Sequence, residues 1–139
     1  MPFAWPGTGK KSSAVFQLLL IKPSHYDDDG YVIQWARTDT PSNSLAVLYG
    51  LASDCAARRV LGDDVEIRIS VADETNHRIK IRKVIRDFKR PGAGGLVALV
   101  GVQSNQYPRA LDIARPLRQA GIPVCIGGFH AAGSLAMLP

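Results

Sequence analysis

Three apolar runs separated by helical patterns constrain this chain more than any other feature. They are "VFQLLLI" (residues 15–21), "GLVALVGV" (95–102) and "IPVCI" (122–126). Short apolar runs bounded by Pro and Gly read as strands buried on both faces, the burial that parallel sheets require. A fourth strand, "VEIRISVA" (65–72), alternates apolar and polar residues at its start, so one of its faces is less buried. Three helices fall between the strands. Leu45, Leu48, Ala52 and Cys55 form one apolar stripe, with Ser42 or Asn43 as the cap and Gly62 beyond the end. Residues 76–90 place Ile81, Val84, Ile85 and Phe88 at i, i+3, i+4, i+7 and turn a basic face outward. Residues 107–120 carry Pro108 in the first turn and Gly121 after the end, and Pro116 predicts a kink or an early stop. Strand and helix alternate throughout. The fold expected is α/β, a three-layer Rossmann-like parallel sheet with helices on both faces.

At 139 residues the chain is one domain long and can bury a real core. Its start, "MPFAWPGTGKKSS", is rich in Pro and Gly and has no apolar signal core, so residues 1–14 are expected to form a loose arm and 15–139 the domain. No run approaches the ~20 apolar residues of a membrane span. Cys55 and Cys125 lie in apolar segments and are expected to be reduced core thiols, as in a cytoplasmic protein. The net charge of +5 favours solubility over any one partner.

In an open parallel sheet, ligands bind beyond the carboxyl ends of the strands, where the strand order reverses. The residues in that position are Ser24 and His25 after the first strand, Gln103, Ser104 and Asn105 after the third, and Gly127, Gly128, Phe129 and His130 after the fourth. These are small and polar groups that donate several hydrogen bonds and let a large ligand come close. Paired glycines after a strand also serve as a plain tight turn, and a single histidine is often only a packing residue. Asp27, Asp28 and Asp29 have the chemistry of a magnesium site, but a receiver-type phosphoacceptor needs a further aspartate after the third strand, where Gln103 and Ser104 stand. "GTGKKS" (7–12) lacks the first glycine, the closing Ser or Thr and the preceding strand of a phosphate loop. The basic helix has no interleaved aromatic residues, so a solvated face is its simplest account and no nucleic-acid partner is expected. No nucleophile–base pair and no cysteine cluster for zinc or iron–sulfur stands out.

Taken together, "LLLIKPSHYDDDGYVIQW", "PSNSLAVLYGLA", "VGVQSNQYPRALDIARPLRQAGIPVCIGGFH" and "GSLAMLP" resemble the amino-terminal cobalamin-binding domain of B12-dependent radical SAM enzymes, over nearly all of residues 15–139. The resemblance implies a flavodoxin-type sheet, in this chain of order 2-1-3-4 with the fifth strand missing or truncated. It also implies that Ser104 and the pair Gly127-Gly128 contact the nucleotide tail of the corrinoid, with Ser24 and His25 near the ring or its tail. Three departures refine this expectation. "PSHYDDDG" does not fit the Asp-x-His-x-x-Gly motif, so no histidine lower ligand is expected. Cys-x-x-x-Cys-x-x-Cys is absent, so no iron–sulfur cluster, no metal ligand and no catalytic residue is assigned to this chain. The chain ends after about four strands, so it reads as part of a larger enzyme whose radical SAM region follows or is supplied by a separate chain. The alternatives are a Rossmann-like interaction domain that binds no cofactor and a flavodoxin-like or receiver domain.

Overall fold

The computed structural model describes residues 14–36 and 41–139. The "GTGKKS" segment and all of the expected arm except Ala14 lie outside the described residues. The elements follow in the order β1 (Ala14–Lys22), α1 (Asn43–Ala57), β2 (Val65–Asp73), α2 (Ile81–Phe88), β3 (Ala93–Leu99), α3 (Tyr107–Gln119), β4 (Val124–Ile126) and α4 (Phe129–Met137). The four strands form one all-parallel sheet in the order β2-β1-β3-β4, a Rossmann-like three-layer arrangement. β1 pairs with β2 on one side (Leu18 opposite Ile69) and with β3 on the other (Leu18 opposite Leu96). The chain therefore reverses direction across the sheet between β1 and β3, and the ligand position for such a sheet lies beyond their carboxyl ends.

Alternate positions of β1 feed two separate cores. Leu19 and Ile21 join Val97, Leu99, Ile113, Leu117 and Phe88 in the larger one, under α2 and α3. Leu20 joins Leu45 and Val100 in a small one under α1. No helix among the described residues is long and apolar enough to cross a membrane.

Local chemistry moves several boundaries. α2 begins at Ile81, not near residue 76. Asp73 Oδ1 accepts from Thr75 N (3.0 Å) and Oγ1 (2.6 Å), and His77 N reaches Asp73 O (3.0 Å). These bonds close a turn that competes with the helix. β3 ends at Leu99, although Val100 N still donates to Ile21 O (2.7 Å) before the chain turns at Gly101, φ +63°. Pro116 does not stop α3, which continues to Gln119. Pro116 sits in the last turn, where one missing intrahelical bond costs little order. Residues 129–137, left unassigned by the sequence reading, form α4, whose side chains are all at least partly exposed.

Candidate ligand-binding site

α1 starts cleanly because Ser42 Oγ accepts from Leu45 N (3.3 Å). It leans over β1 and β2 and leaves the β4 side of the same face open. A groove of about 710 Å³ results. Leu18, Leu20 and Ala98 make its floor, Val47, Leu48 and Leu51 one wall, and Cys125 and Gly127 line its far side. Asn43 and Ser44 are polar, and no lining residue is charged. Val47 and Leu51 stay 61% and 60% exposed, so α1 is apolar on sides that none of the described residues covers. Cys125 departs from the expected core thiol. It is a free, exposed cysteine on this wall, and partial burial pushes its thiol pKa up, away from ready thiolate chemistry. Cys55, also free, is half-buried.

The two glycines after β4 differ in what they do. Gly128 has φ +130°, and a Cβ there would lie 2.3 Å from Val102 N and 2.7 Å from Gly101 C. Its bareness serves chain packing: Gly127 O accepts from Val102 N (2.9 Å) and Val102 O accepts from His130 N (3.1 Å). A Cβ on Gly127 would meet nothing within 4 Å. Gly127 is thus the glycine whose missing side chain leaves the groove wider.

The other expected site residues do not line this groove. Ser104 Oγ lies 3.2 Å from His130 Nδ1, and the His130 ring packs on Tyr107 at 4.1 Å between centroids. Gln103, Asn105 and Phe129 are exposed on the same rim. Ser104 thus lies beside His130 and is not among the residues that line this groove. Ser24 is fully buried and structural: its N donates to Glu74 Oε2 (3.1 Å) and its Oγ to Ile33 O (2.5 Å). The backbone oxygen of half-buried His25 accepts from Ile33 N (2.9 Å). The Asp27 carboxylate accepts from Asp29 N (3.0 Å) and Tyr31 N (2.8 Å), so part of the acidic run is spent on folding its own loop. No group of three or more His, Cys, Asp or Glu among the described residues is arranged to hold a metal.

An ion pair beside Ser24 escaped the sequence reading. Glu74, only 1% exposed, accepts both Arg109 Nη2 (2.5 Å) and Nε (3.1 Å). Burial works against the charge of Arg109, but the hydrogen bonds it donates to Glu74 and Tyr26 outweigh it and hold the guanidinium pKa well above its ordinary value. Tyr26 Oη donates to Asp112 Oδ2 (2.6 Å), and burial followed by that carboxylate raises its phenol pKa. Together these groups lock the loop after β1 to the end of β2 and the first turns of α3. The sequence clue was slight: a glutamate directly after the alternating strand β2 and an arginine in a helix first turn, 35 residues apart. Comparison with protein-family models, with curated proteins and with solved structures finds no match for this chain.

Proposed function

We propose that this domain is a cofactor-binding module that seats the flat, apolar base of a corrinoid's nucleotide tail in the groove between α1 and the sheet. The observation that carries this reading is the uncharged groove of about 710 Å³, open beside the carboxyl ends of β1, β3 and β4. Its size falls in the roughly 300–1,000 Å³ range of small-molecule sites, and its lining is apolar with a few polar groups at one end, as such sites require. The residues fit the group: Leu18, Leu48, Leu51 and Ala98 would hold the flat base of the tail, Gly127 would leave room for it, and Asn43 and Ser44 offer hydrogen bonds. When bound, the corrinoid supplies a cobalt centre for methyl transfer or for assisting a radical reaction. The chain's own part is to bind, orient and shield the tail from water.

A second reading, an interaction domain without a cofactor, is favoured by the large apolar side chains left bare on α4: Phe129 (79% exposed), Leu135 (71%) and Met137 (86%).

One experiment separates the two. Purified chain is mixed with hydroxocobalamin, desalted, and its visible spectrum recorded. The expected result is retained corrinoid, lost in Gly127→Trp and spectrally unchanged in His25→Ala. Gly127 is the position to fill, since a side chain on Gly128 would collide with backbone. Failure of the wild-type chain to retain corrinoid rejects the first reading and leaves the second. A yellow flavin spectrum from the purified protein would replace both with a flavodoxin-like function.

A further inference from the structure

The groove leaves one strongly charged surface unexplained. Residues 77–90 hold seven of the chain's 17 Lys and Arg residues and a single acid, Asp87. That excess of six positive charges is larger than the chain's net +5, so the rest of the molecule is close to neutral. Arg78, Lys80, Arg82, Lys83, Arg86 and Lys89 are all exposed on α2 and the residues flanking it. The opposite side of α2, with Val84, Ile85 and Phe88, packs into the larger core. Asp87 takes ion pairs from Lys83 (2.6 Å) and Arg90 (3.0 Å).

Tertiary structure extends this surface beyond the helix. Past the carboxyl end of α2 it runs into a crevice of about 470 Å³. Arg90, Asp87, Gln17, Pro91 and Arg68 line it, the last brought from β2 by its register opposite Gln17. Arg68 is itself paired to Glu66 (2.8 Å). The surface therefore combines a basic helix with a second, non-local arginine and a recess.

We propose that this face is a phosphate-binding surface that docks nucleic acid through its backbone, without reading sequence. Three features select this partner. None of the large exposed apolar side chains falls within residues 77–93, so the surface has nothing to insert into a bilayer. For the same reason it lacks the aromatic anchors that carry protein–protein affinity. It also lacks aromatic platforms for stacking bases, which leaves charge-to-phosphate contacts as its chemistry. The plain solvated face expected from the sequence took in the helix alone, without Arg68 or the crevice. The proposal is independent of the groove.

The test is fluorescence anisotropy of the full chain with a labelled 20-nucleotide single-stranded RNA. With about five phosphate contacts, affinity should fall by about 100-fold between 50 and 200 mM salt. Arg82→Glu/Arg86→Glu should lose most of the binding at 50 mM salt and flatten the salt dependence. Arg58→Glu/Arg59→Glu makes the same charge change beyond α1 and should retain it, with circular dichroism confirming that both variants fold. Absence of saturable binding at 50 mM salt overturns the proposal. Equal loss in the two double variants overturns it too, since bulk charge alone would then explain the binding. Displacement of the RNA by polyglutamate or by phosphatidylserine vesicles at a lower charge concentration would reassign the surface to an acidic protein or to a membrane.

Discussion

The two faces of this sheet are built from the same strands and end in different states. On the α2 and α3 face, Ile21, Val97, Ile113 and Leu117 are almost completely removed from water. On the α1 face, Leu20, Leu45 and Val100 are buried, while Leu18 and Ala98 are only partly covered and Val47 and Leu51 stand exposed. The strand residues are about equally apolar on both sides. What differs is cover: two helices lie over one face and a single helix, displaced toward β2, over the other. Strand hydrophobicity makes a face able to pack, and helix placement decides whether it does. The closed face is a core, whereas the open one is a surface with the composition of a core, and that is where a ligand or partner gains most by binding.

The strongest test of this contrast is truncation on either side. Ile113→Ala on the closed face should cost about 4 kcal/mol, since it opens a cavity in packed surroundings. Leu51→Ala on the open face should stay within about 0.5 kcal/mol. Urea midpoints would measure both, and equal losses would break the comparison.

A second pair sharpens it at the junction of the faces. Gly128→Ala combines a backbone collision with a φ that side chains rarely adopt, and should cost about 3–4 kcal/mol. Gly127→Ala, whose added methyl meets nothing, should be close to neutral by the same measurement.

Next in size is the ion pair at the rim. Glu74→Ala leaves the mostly buried Arg109 without its carboxylate and should cost about 3 kcal/mol by thermal or urea unfolding. A much smaller loss would mean that the loop after β1 is held by its backbone bonds alone.

The smallest effect is alkaline. The pKa of Tyr26 is raised in the folded state above its ordinary value of 10.0, so the neutral phenol is the form that folding favours. Its contribution to stability is complete below the unfolded-state pKa and is lost as pH rises through the raised native value. Stability of the wild-type chain should therefore fall more steeply above pH 10 than that of Tyr26→Phe. Parallel curves would show that the Asp112 bond carries no linkage.

What the sequence determined by itself was the layered order of elements. Continuous apolar runs such as residues 95–102 and the i, i+3, i+4, i+7 stripe of α2 are local patterns, and local periodicity states which faces must be buried. Right-handed crossovers then leave few topologies, and the sheet matches the order 2-1-3-4 that the resemblance implied. The site was only half legible for the same reason. The chain position of Gly127 and Gly128 marked them as rim residues, but nothing local shows that one faces open space and the other the Val102 backbone. Ser24 looked like a ligand contact because it is small and polar after a strand, and only the folded chain brings Glu74 and Ile33 to consume its groups. Tertiary structure decided each of these points, because hydrogen-bond satisfaction and cavity shape depend on residues that sequence distance keeps apart.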